Sequence, residues 1–363
     1  MNVLHINEQR TWRGGEQQAS YLIRGLGAKG HHAVVAGRPG SGFLARDHGD
    51  SVLARVAAPF VGEADLWTAY KLARVVRQYD IDLIHAHASH GHTYACLARL
   101  LARRSNVKVV VSRRMSVKPR PGPINRWKYK LPDRFIAISK KIAAVLCAYG
   151  IPESKIDIVY SAIDPTRFDT PPIDRTELGI PSGAPLLGNV AALEAHKDQQ
   201  TLLEALPSVL EAVPGLHVVI AGEGPLRSTL EEQIRAHGLE GVVRLIGYRN
   251  DVPAILRALD AFVLCSRQEG LGTSLLDAMI CGAPVVATAA GGIPELVQHE
   301  QTGLLTPVGD SKALADALIR VLTDSQLAQG IAKEAESMIW ERFTVDRMVE
   351  GNLRAYEDVL DEP

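Results

Sequence analysis

Short apolar runs alternate with amphipathic stretches along most of the chain. Each run of four to six apolar residues is followed by a segment in which apolar residues recur every three or four positions, the spacing of a helix packed on a sheet. Strands and helices that alternate in this way form a parallel sheet with right-handed crossovers. The pattern predicts an α/β fold of the doubly wound type. In the first half it places strands at 3–7, 33–36, 52–57, 82–87, 108–112, 134–138 and 155–160, and helices at about 14–28, 66–79, 93–103 and 140–149.

The alternation breaks once, at residues 161–185, a stretch that holds five prolines. Prolines at this density end regular structure, so this stretch is predicted to link two domains, 1–163 and 164–343. A chain of 363 residues is also long for a single core. The last helix, at about 344–363, is amphipathic enough to pack back on the first domain. The second block is predicted to have strands at 186–190, 216–221, 242–246, 261–265 and 285–288, and helices at 201–213, 226–237, 252–259, 273–281, 312–322, 328–341 and 345–360.

Composition narrows the function classes. The formal net charge of −1 argues against a nucleic-acid partner for the whole molecule. The N-terminus enters a strand pattern without the features of a signal peptide, and no apolar run approaches the ~20 residues of a spanning helix. We therefore expect a cytoplasmic protein. The four cysteines lack metal-binding spacing and are expected to be reduced thiols in the cores: Cys96, Cys147, Cys265 and Cys281.

The segment 266–296 carries the clearest candidate chemistry. Glu269 follows a predicted buried strand, and Thr273 and Ser274 stand where the N-cap of the next helix is expected. The open N-terminus of a helix offers backbone N–H groups and partial positive charge, which suit a phosphate. Asp277, one turn inside the helix, is better suited to accept hydrogen bonds from sugar hydroxyls. The alternative interpretation is a strand-to-helix turn with a capping acid.

Other loops of the second block are expected at the same edge of the sheet. Lys197 follows the first strand of the block, the Gly222–Pro225 loop follows another strand, and Gly291-Gly292 follows a third. A single loop lysine is usually only solvated. However, the carboxyl ends of parallel strands meet at one edge, where ligands bind in such sheets. Their convergence with Glu269 predicts a site for a phosphorylated ligand.

The first block has its own candidates. Gly14-Gly15 follows the first strand but lacks the third glycine of a dinucleotide fingerprint, which weakens a nicotinamide cofactor. His85 and His87 point to the same face because side chains alternate along a strand. His87 is nearer the open edge and is the better ligand contact, although it could equally be a structural hydrogen-bonding residue. A metal cluster of His87 with the nearby His90 and His92 is disfavoured because no acidic ligand is adjacent.

A basic stretch spans residues 113–130. It contains seven cations and no acid, with Trp127 and Tyr129 between them, and prolines keep its first part irregular. One interpretation is a solvated loop. The other, which we favour, is a binding surface for an anionic acceptor or an anionic membrane, since clustered like charges need a counter-ion. The cations are Arg113, Arg114, Lys118, Arg120, Arg126, Lys128 and Lys130.

These motifs together resemble the retaining glycosyltransferases of family 4, which have the GT-B fold of two facing Rossmann-like domains with a cleft between them. The resemblance covers nearly the whole chain. It is looser in the first half, where Gly14-Gly15 and His87 carry it. In the second half it is carried by Lys197, Gly222-Glu223-Gly224-Pro225, Glu269-Gly270-Leu271-Gly272, Ala278-Met279, Gly282-Ala283-Pro284-Val285-Val286 and Gly291-Gly292-Ile293-Pro294-Glu295.

The resemblance implies a nucleotide-sugar donor, such as a UDP- or GDP-sugar, bound by the second domain and an acceptor bound mainly by the first. It implies retention at the anomeric carbon and neither metal nor cofactor. Glu269 would lie close to the transferred sugar, Lys197 would neutralise the diphosphate, and His87 would contact the sugar at the reacting centre. The implied donor-binding set is Gly15, Lys197, Gly222, Gly224, Glu269, Gly270, Leu271, Gly272, Thr273, Ser274, Leu275 and Asp277, and the acceptor set is Arg113, Arg114 and Lys118.

The chain departs from the family pattern at three places. Asp277 replaces the second glutamate of the family's Glu-x7-Glu motif, Ala192 stands where many members have an arginine, and Ser161-Ala162 replaces an Asn-Gly. Arg267 is a candidate to supply the missing phosphate charge. We expect a transferase acting on a cell-envelope glycan or lipid-linked acceptor, as in lipopolysaccharide synthesis, with peripheral contact to the inner membrane. The alternatives are a nucleotide-sugar 2-epimerase and a non-catalytic sugar-nucleotide-binding protein.

Overall fold

The structure is a computed structural model, and it describes residues 1–62, 65–119 and 121–362, without the side chain of Ile124. Arg120 of the basic stretch lies outside the described residues. The chain divides into two compact units. Unit 1 comprises Met1–Ala162 and the segment from Val345 onward, and unit 2 comprises Ile163–Thr344. Unit 2 is therefore inserted into the sequence of unit 1.

Unit 1 is a seven-stranded, wholly parallel sheet with strand order β3-β2-β1-β4-β5-β6-β7. Helices connect successive strands, which confirms the doubly wound prediction. Its elements are β1 (Asn2–Asn7), α1 (Gly14–Ala28), β2 (His32–Gly37), α2 (Gly42–Ala45), β3 (Val52–Ala57), α3 (Leu66–Gln78), β4 (Leu83–Ala86), α4 (Ser89–Ala102), β5 (Lys108–Arg113), α5 (Pro123–Lys130), β6 (Arg134–Ala137), α6 (Lys140–Tyr149) and β7 (Ile156–Ile158).

Unit 2 is a second parallel sheet, of six strands in the order β10-β9-β8-β11-β12-β13. It too is doubly wound. Its elements are β8 (Leu186–Val190), α7 (Gln199–Ala212), β9 (His217–Ala221), α8 (Arg227–Ala236), β10 (Val243–Gly247), α9 (Val252–Arg257), β11 (Ala261–Leu264), α10 (Thr273–Ile280), β12 (Val285–Thr288), β13 (Leu304–Thr306), α11 (Ser311–Thr323) and α12 (Ser325–Arg342).

The last helix, α13 (Val345–Asp361), completes the core of unit 1. Val349 and Tyr356 are buried against residues of α1 and the sheet. The fit with α1 is tight, since a Cβ atom added to Gly25 would lie 2.3 Å from Val349 Cγ2. Apolar residues on one face of α13 thus stabilise unit 1 by burial rather than facing solvent.

The predicted linking stretch, 161–185, contains the division between the two units, which falls after Ala162. Most of it belongs to unit 2, where Phe168 and Ile180 are buried. Ile163 donates its N–H to the Phe343 carbonyl at 2.8 Å, next to a parallel bridge with Thr344. Buried apolar side chains between the prolines hold this segment in place. The number of prolines alone did not indicate this packing.

Other predictions were incomplete. The alternation did not reveal α2 or β13, both of which have only three or four residues. α4 begins four residues before its predicted start. Cys147 is exposed rather than in a core. In the part of the chain that the structure describes, no helix is both long enough and apolar enough to span a bilayer.

Candidate active site

The candidate residues lie where each sheet reverses its strand order. In unit 2 the order reverses between β8 and β11, and these strands lead into the loops of Lys197 and Glu269. In unit 1 it reverses between β1 and β4, which lead to Gly15 and His87. Loops diverge at such a point and leave a crevice at the carboxyl ends of the strands, where open α/β sheets bind ligands.

In unit 2 the structure brings Lys197 and Glu269 together. Lys197 Nζ donates to Glu269 Oε1, and Ser266 Oγ donates to the same oxygen at 3.0 Å. Both charged side chains are largely buried, with exposed fractions of 18% and 10%. Burial strengthens the pairing because little water screens it. Two residues 72 positions apart thus form one charged centre.

Backbone hydrogen bonds fix the two loops to each other. Arg267 donates its N–H to the His196 carbonyl at 2.8 Å, and Cys265 Sγ donates to the Lys197 carbonyl at 3.4 Å. The Arg267 side chain pairs with Asp198, with Nε 2.8 Å from Oδ2. Arg267 therefore has a carboxylate partner within the protein, which weighs against the suggestion that it substitutes for the arginine missing at position 192.

Helix α10 begins four residues after Glu269. Its N-cap is Gly272, in a left-handed conformation at φ 93°, and not Thr273 or Ser274 as predicted. The Leu275 N–H donates to the Gly272 carbonyl at 2.9 Å. The N-cap has no side chain to accept a hydrogen bond, so the N–H groups of Thr273 and Ser274 are the ones suited to an external anion.

The glycines of this edge pack against protein backbone. A Cβ atom on Gly222 would lie 1.9 Å from the Ala191 carbonyl oxygen, and one on Gly224 would lie 2.4 Å from that of Leu193. A Cβ atom on Gly291 would meet the Glu269 carbonyl oxygen at 1.9 Å. Glycine is required at all three positions to bring the loops together. These residues shape the site, and their need for glycine is explained without a ligand.

The remaining residues of the set occupy the start of α10 and its approach. Gly270 and Leu271 connect Glu269 to the helix, and the Leu271 side chain is buried. Burial raises the pKa of Asp277 to about 6, although the positive charge of Arg167 opposes the shift. An aspartate of this pKa is partly protonated near neutral pH, so it can donate as well as accept a hydrogen bond.

Unit 1 gathers its candidates around a cavity of about 230 Å³, here called the site cavity. Gly15, His87, Arg113 and Arg114 line it, and the Arg114 Cδ lies 3.5 Å from a Cβ position built on Gly15. Burial lowers the pKa of Arg114 to about 10, which still leaves a cation at neutral pH. Lys118 is exposed and does not line the cavity, so the structure separates it from the two arginines.

The basic stretch is not a solvated loop. Arg113 and Lys128 are buried, and the second part of the stretch forms α5. Arg113 donates to the Val117 carbonyl at 2.6 Å, and Lys128 donates to the Ser89 carbonyl at 3.2 Å. These two cations therefore hold the stretch against β5 and α4.

Three buried histidines cluster at the site cavity, which His87 lines. His5 Nδ1 and His87 Nε2 are 2.9 Å apart. His85 bonds through one ring nitrogen to the Tyr356 hydroxyl at 2.5 Å and through the other to Ser112 at 2.8 Å. His85 and His87 do share a face, with ring centroids 4.0 Å apart. His5 was missed because a histidine inside an apolar strand resembles a core residue, although it stands opposite His85 in the register.

These imidazoles are uncharged. Burial lowers the pKa of His5 to about 3 and holds those of His85 and His87 well below their ordinary range. The three rings lie close enough to share a metal ion, but both nitrogens of His85 are already hydrogen-bonded. The arrangement fits a network that orients His87 better than a ligand set. His92 also lines the site cavity but lies outside this cluster, with its ring 3.1 Å from the Lys128 carbonyl.

Carboxylates of the protein occupy the helix ends of unit 1. Glu8 accepts hydrogen bonds at the start of α4 from the N–H groups of His90 and Gly91, at 3.1 and 3.0 Å. Glu16 accepts from the Arg13 N–H at 3.0 Å at the start of α1. Sequence reasoning missed Glu8 because it caps a helix about 80 residues away. The helix end beside His87 is thus bound to a carboxylate, and the first turn of α1 beside Gly15 carries one.

Family models of known proteins match both units of the chain. Residues 172–338 match the family model described as glycosyl transferases group 1, and residues 12–167 match the model for glycosyltransferase family 4. The Anabaena protein HepE, whose structure was solved in complex with UDP, superposes with a TM-score of 0.84 at 25% identity over 99% of this chain and 100% of that one. Fold and site define a glycosyltransferase of the GT-B class.

Among curated proteins, N-acetyl-α-D-glucosaminyl L-malate synthase of Bacillus anthracis is 26% identical over 82% of this chain and 80% of its own. The UDP-Gal:α-D-GlcNAc-diphosphoundecaprenol α-1,3-galactosyltransferase of Escherichia coli is also 26% identical, over 82% and 80%. The chain belongs to glycosyltransferase family 4. These relatives give no support to the 2-epimerase alternative.

Proposed function

We propose that the protein is a retaining, metal-independent glycosyltransferase that moves a sugar from a UDP-sugar to a lipid-linked acceptor of the cell envelope. UDP is supported by the HepE complex, and the printed name of the Escherichia coli relative contains both a UDP-sugar and a diphosphate-linked lipid. The observation that carries the proposal is the buried pair of Lys197 and Glu269 at the switch point of unit 2, directly ahead of a glycine-capped helix.

In this proposal Lys197 and α10 hold the diphosphate. An ammonium group has three N–H donors, of which Glu269 takes one, so the others can reach phosphate oxygens. The N–H groups of Thr273 and Ser274 add two more donors at the positive end of the helix. Together they would stabilise the charge that develops on the leaving UDP, the role that a metal ion fills in other enzymes.

Glu269 would position the transferred sugar. Among the described residues both of its side-chain hydrogen bonds go to Oε1, which leaves Oε2 for a sugar hydroxyl. In a retaining reaction of this kind the acceptor oxygen attacks from the side of the departing phosphate. The phosphate oxygen then accepts the acceptor's proton, so no separate base is required.

Unit 1 would supply the acceptor side. His87 lines the site cavity as a neutral imidazole and can donate or accept one hydrogen bond without adding charge. Arg113 and Arg114 line the same cavity and would attract a phosphorylated acceptor. The exposed Lys118 would contribute only to long-range attraction.

The first test is thermal unfolding with UDP, GDP, ADP and CMP, each with magnesium and with EDTA. A nucleotide at roughly 100 times its dissociation constant stabilises the folded chain by about 2.7 kcal/mol, which a melting curve resolves. We expect a shift with UDP that EDTA does not change. A shift that appears only with magnesium would contradict metal independence, and the absence of any shift would contradict the donor site.

The second test replaces Lys197. Lys197→Ala should lower the rate of transfer by about 10²- to 10³-fold, the usual loss for one donor to a developing anion, and should weaken the UDP shift. Lys312→Ala is the matched control, because it removes an exposed lysine that pairs with a carboxylate 3.0 Å away on α11. Equal activity of the two variants would refute the assignment.

A further inference from the structure

A groove between α4 and α5 in unit 1 has a volume of about 800 Å³. Its floor is one face of α4, where Thr93, Cys96, Leu97 and Leu100 recur at helical spacing, and Trp127 and Leu131 form the opposite side. Leu100 and Trp127 are 66% and 55% exposed. Such a volume is that of a ligand site, and clustered exposed apolar side chains mark a surface that binds something.

The charged residues of the α4–α5 groove have one sign. Its lining holds four cations, Arg99, Arg103, Arg104 and Lys128, and no carboxylate among the residues that the structure describes. Arg99 and Arg104 are each balanced by an aspartate outside the lining, Asp133 at 2.6 Å and Asp80 at 2.9 Å. Arg103, at the end of α4, is exposed. The groove therefore suits an apolar chain that carries negative charge.

The groove and the site cavity share a wall. Neighbouring residues of α4 face opposite spaces, with His92 on the site cavity and Thr93 on the groove. In α5, Tyr129 lines the site cavity and Lys128 lines the groove. The Lys128 Nζ donates to the carbonyl of Ser89, two residues after His87. The groove therefore lies beside the cavity that His87 lines.

We propose that the α4–α5 groove binds the hydrocarbon chain of the anionic lipid that serves as acceptor. The assignment of this lipid as acceptor rests on the proposed function, whereas binding of an anionic amphiphile does not. A bilayer offers a flat surface, whereas the groove is concave. Apolar contact with Leu97, Leu100 and Trp127 would hold the chain, and the cations would select a phosphate-bearing lipid.

The test is calorimetric titration of the full chain with dodecyl phosphate below its critical micelle concentration. We expect saturable binding at one site. Leu100→Glu places an acid in the groove, and Trp127→Ala removes its opposite side, so each should weaken binding by about tenfold or more. Leu101→Glu is the matched control, since Leu101 is the neighbouring exposed residue of α4 and does not line the groove.

Two further titrations test the charge. Dodecyl maltoside, which has the same chain without charge, should bind about fivefold or more weakly, and Arg103→Gln should reduce that difference. Inorganic phosphate alone should give no saturable heat. Equal effects of Leu100→Glu and Leu101→Glu would overturn the proposal. Binding to vesicles that contain phosphatidylglycerol, without binding of dodecyl phosphate, would also overturn it in favour of a membrane-docking surface.

The same samples separate this proposal from the proposed function. Leu100→Glu and Trp127→Ala should keep the wild-type thermal shift with UDP, because both lie in unit 1. A wild-type protein that binds dodecyl phosphate but not UDP would support the groove and contradict the transferase. A protein that binds UDP but is indifferent to groove variants would do the opposite.

Discussion

The two sheets reverse their strand order at equivalent places, but the helix ends beside these places differ in charge. In unit 1 the start of α4 is bonded to Glu8 and the start of α1 to Glu16. In unit 2 the start of α10 is capped by Gly272, which has no side chain, and a lysine stands close by. Shared topology therefore creates two crevices, and the start of α10 in unit 2 differs from both helix ends of unit 1 in having no capping carboxylate among the described residues.

The buried polar groups of the two units also differ in charge. Unit 1 uses neutral rings, with His5 hydrogen-bonded to His87. Unit 2 uses a lysine and a glutamate of opposite charge, Lys197 and Glu269. A neutral crevice with arginines at its edge suits hydroxyl groups and a peripheral phosphate, whereas a cation at a helix end suits a diphosphate. This contrast supports the proposal that unit 2 binds the nucleotide.

The largest effect, on UDP affinity, is expected when an acidic residue is placed at the start of α10, because Glu8 already puts one at the start of α4. Thr273→Asp should strengthen the helix by about 0.3–1 kcal/mol through its dipole. It should nevertheless weaken UDP binding by roughly a hundredfold, because two anions would share one helix end. Titration calorimetry measures the affinity and urea unfolding the stability. Thr273→Asn is the uncharged control, and an equal loss of affinity in both would break the comparison.

The reverse change removes the acid from α4. Glu8→Ala leaves the partly buried N–H of His90 and the buried N–H of Gly91 without this acceptor, which should cost about 1–3 kcal/mol of unfolding free energy. Glu8→Gln keeps an acceptor oxygen and should recover part of this. UDP affinity should not change in either. Three of the four tryptophans lie in unit 1, so fluorescence follows its unfolding. A Glu8→Ala variant that loses UDP binding would contradict the division of roles.

A smaller effect is expected in the pH dependence of the unfolding free energy, which tests the neutral histidines of unit 1. Burial holds the pKa of His5 at about 3 in the folded chain, whereas an unfolded histidine titrates near 6.5. Protons then favour the unfolded chain, so His5 contributes full stability above about pH 6.5 and loses about 1.4 kcal/mol per pH unit below it. His5→Gln should therefore reduce the loss of unfolding free energy between pH 7.5 and pH 5.0, measured by urea unfolding, by about 2 kcal/mol. His237→Gln, at an exposed position of unit 2, should keep the wild-type slope.

Sequence reasoning was strongest where one rule connects distant residues. Lys197 and Glu269 are 72 positions apart, yet both follow parallel strands, and such strands end at one edge. Gly15, His87, Arg113 and Arg114 were predicted on separate grounds, and the structure brings them to one cavity. Periodicity also predicted most elements of both sheets, because buried parallel strands leave long apolar runs.

The failures have specific physical causes. Thr273 is a better N-cap by side chain, but Gly272 alone tolerates the left-handed backbone that joins Leu271 to the helix. Glu8 caps a helix from another loop, so no local motif reports it. The α4–α5 groove depends on how two helices diverge in space, which spacing within each helix does not contain.

The placement of α13 bears on the order in which the protein is built. Unit 1 opens the chain, but its buried Val349 and Tyr356 are translated only after all of Ile163–Thr344. At roughly 5–20 residues per second, the ribosome needs several seconds or more to translate unit 2. During this time the face of unit 1 that α13 covers remains exposed. The half of the enzyme that is made first is thus completed last, and no single cut in the chain can separate the two halves intact.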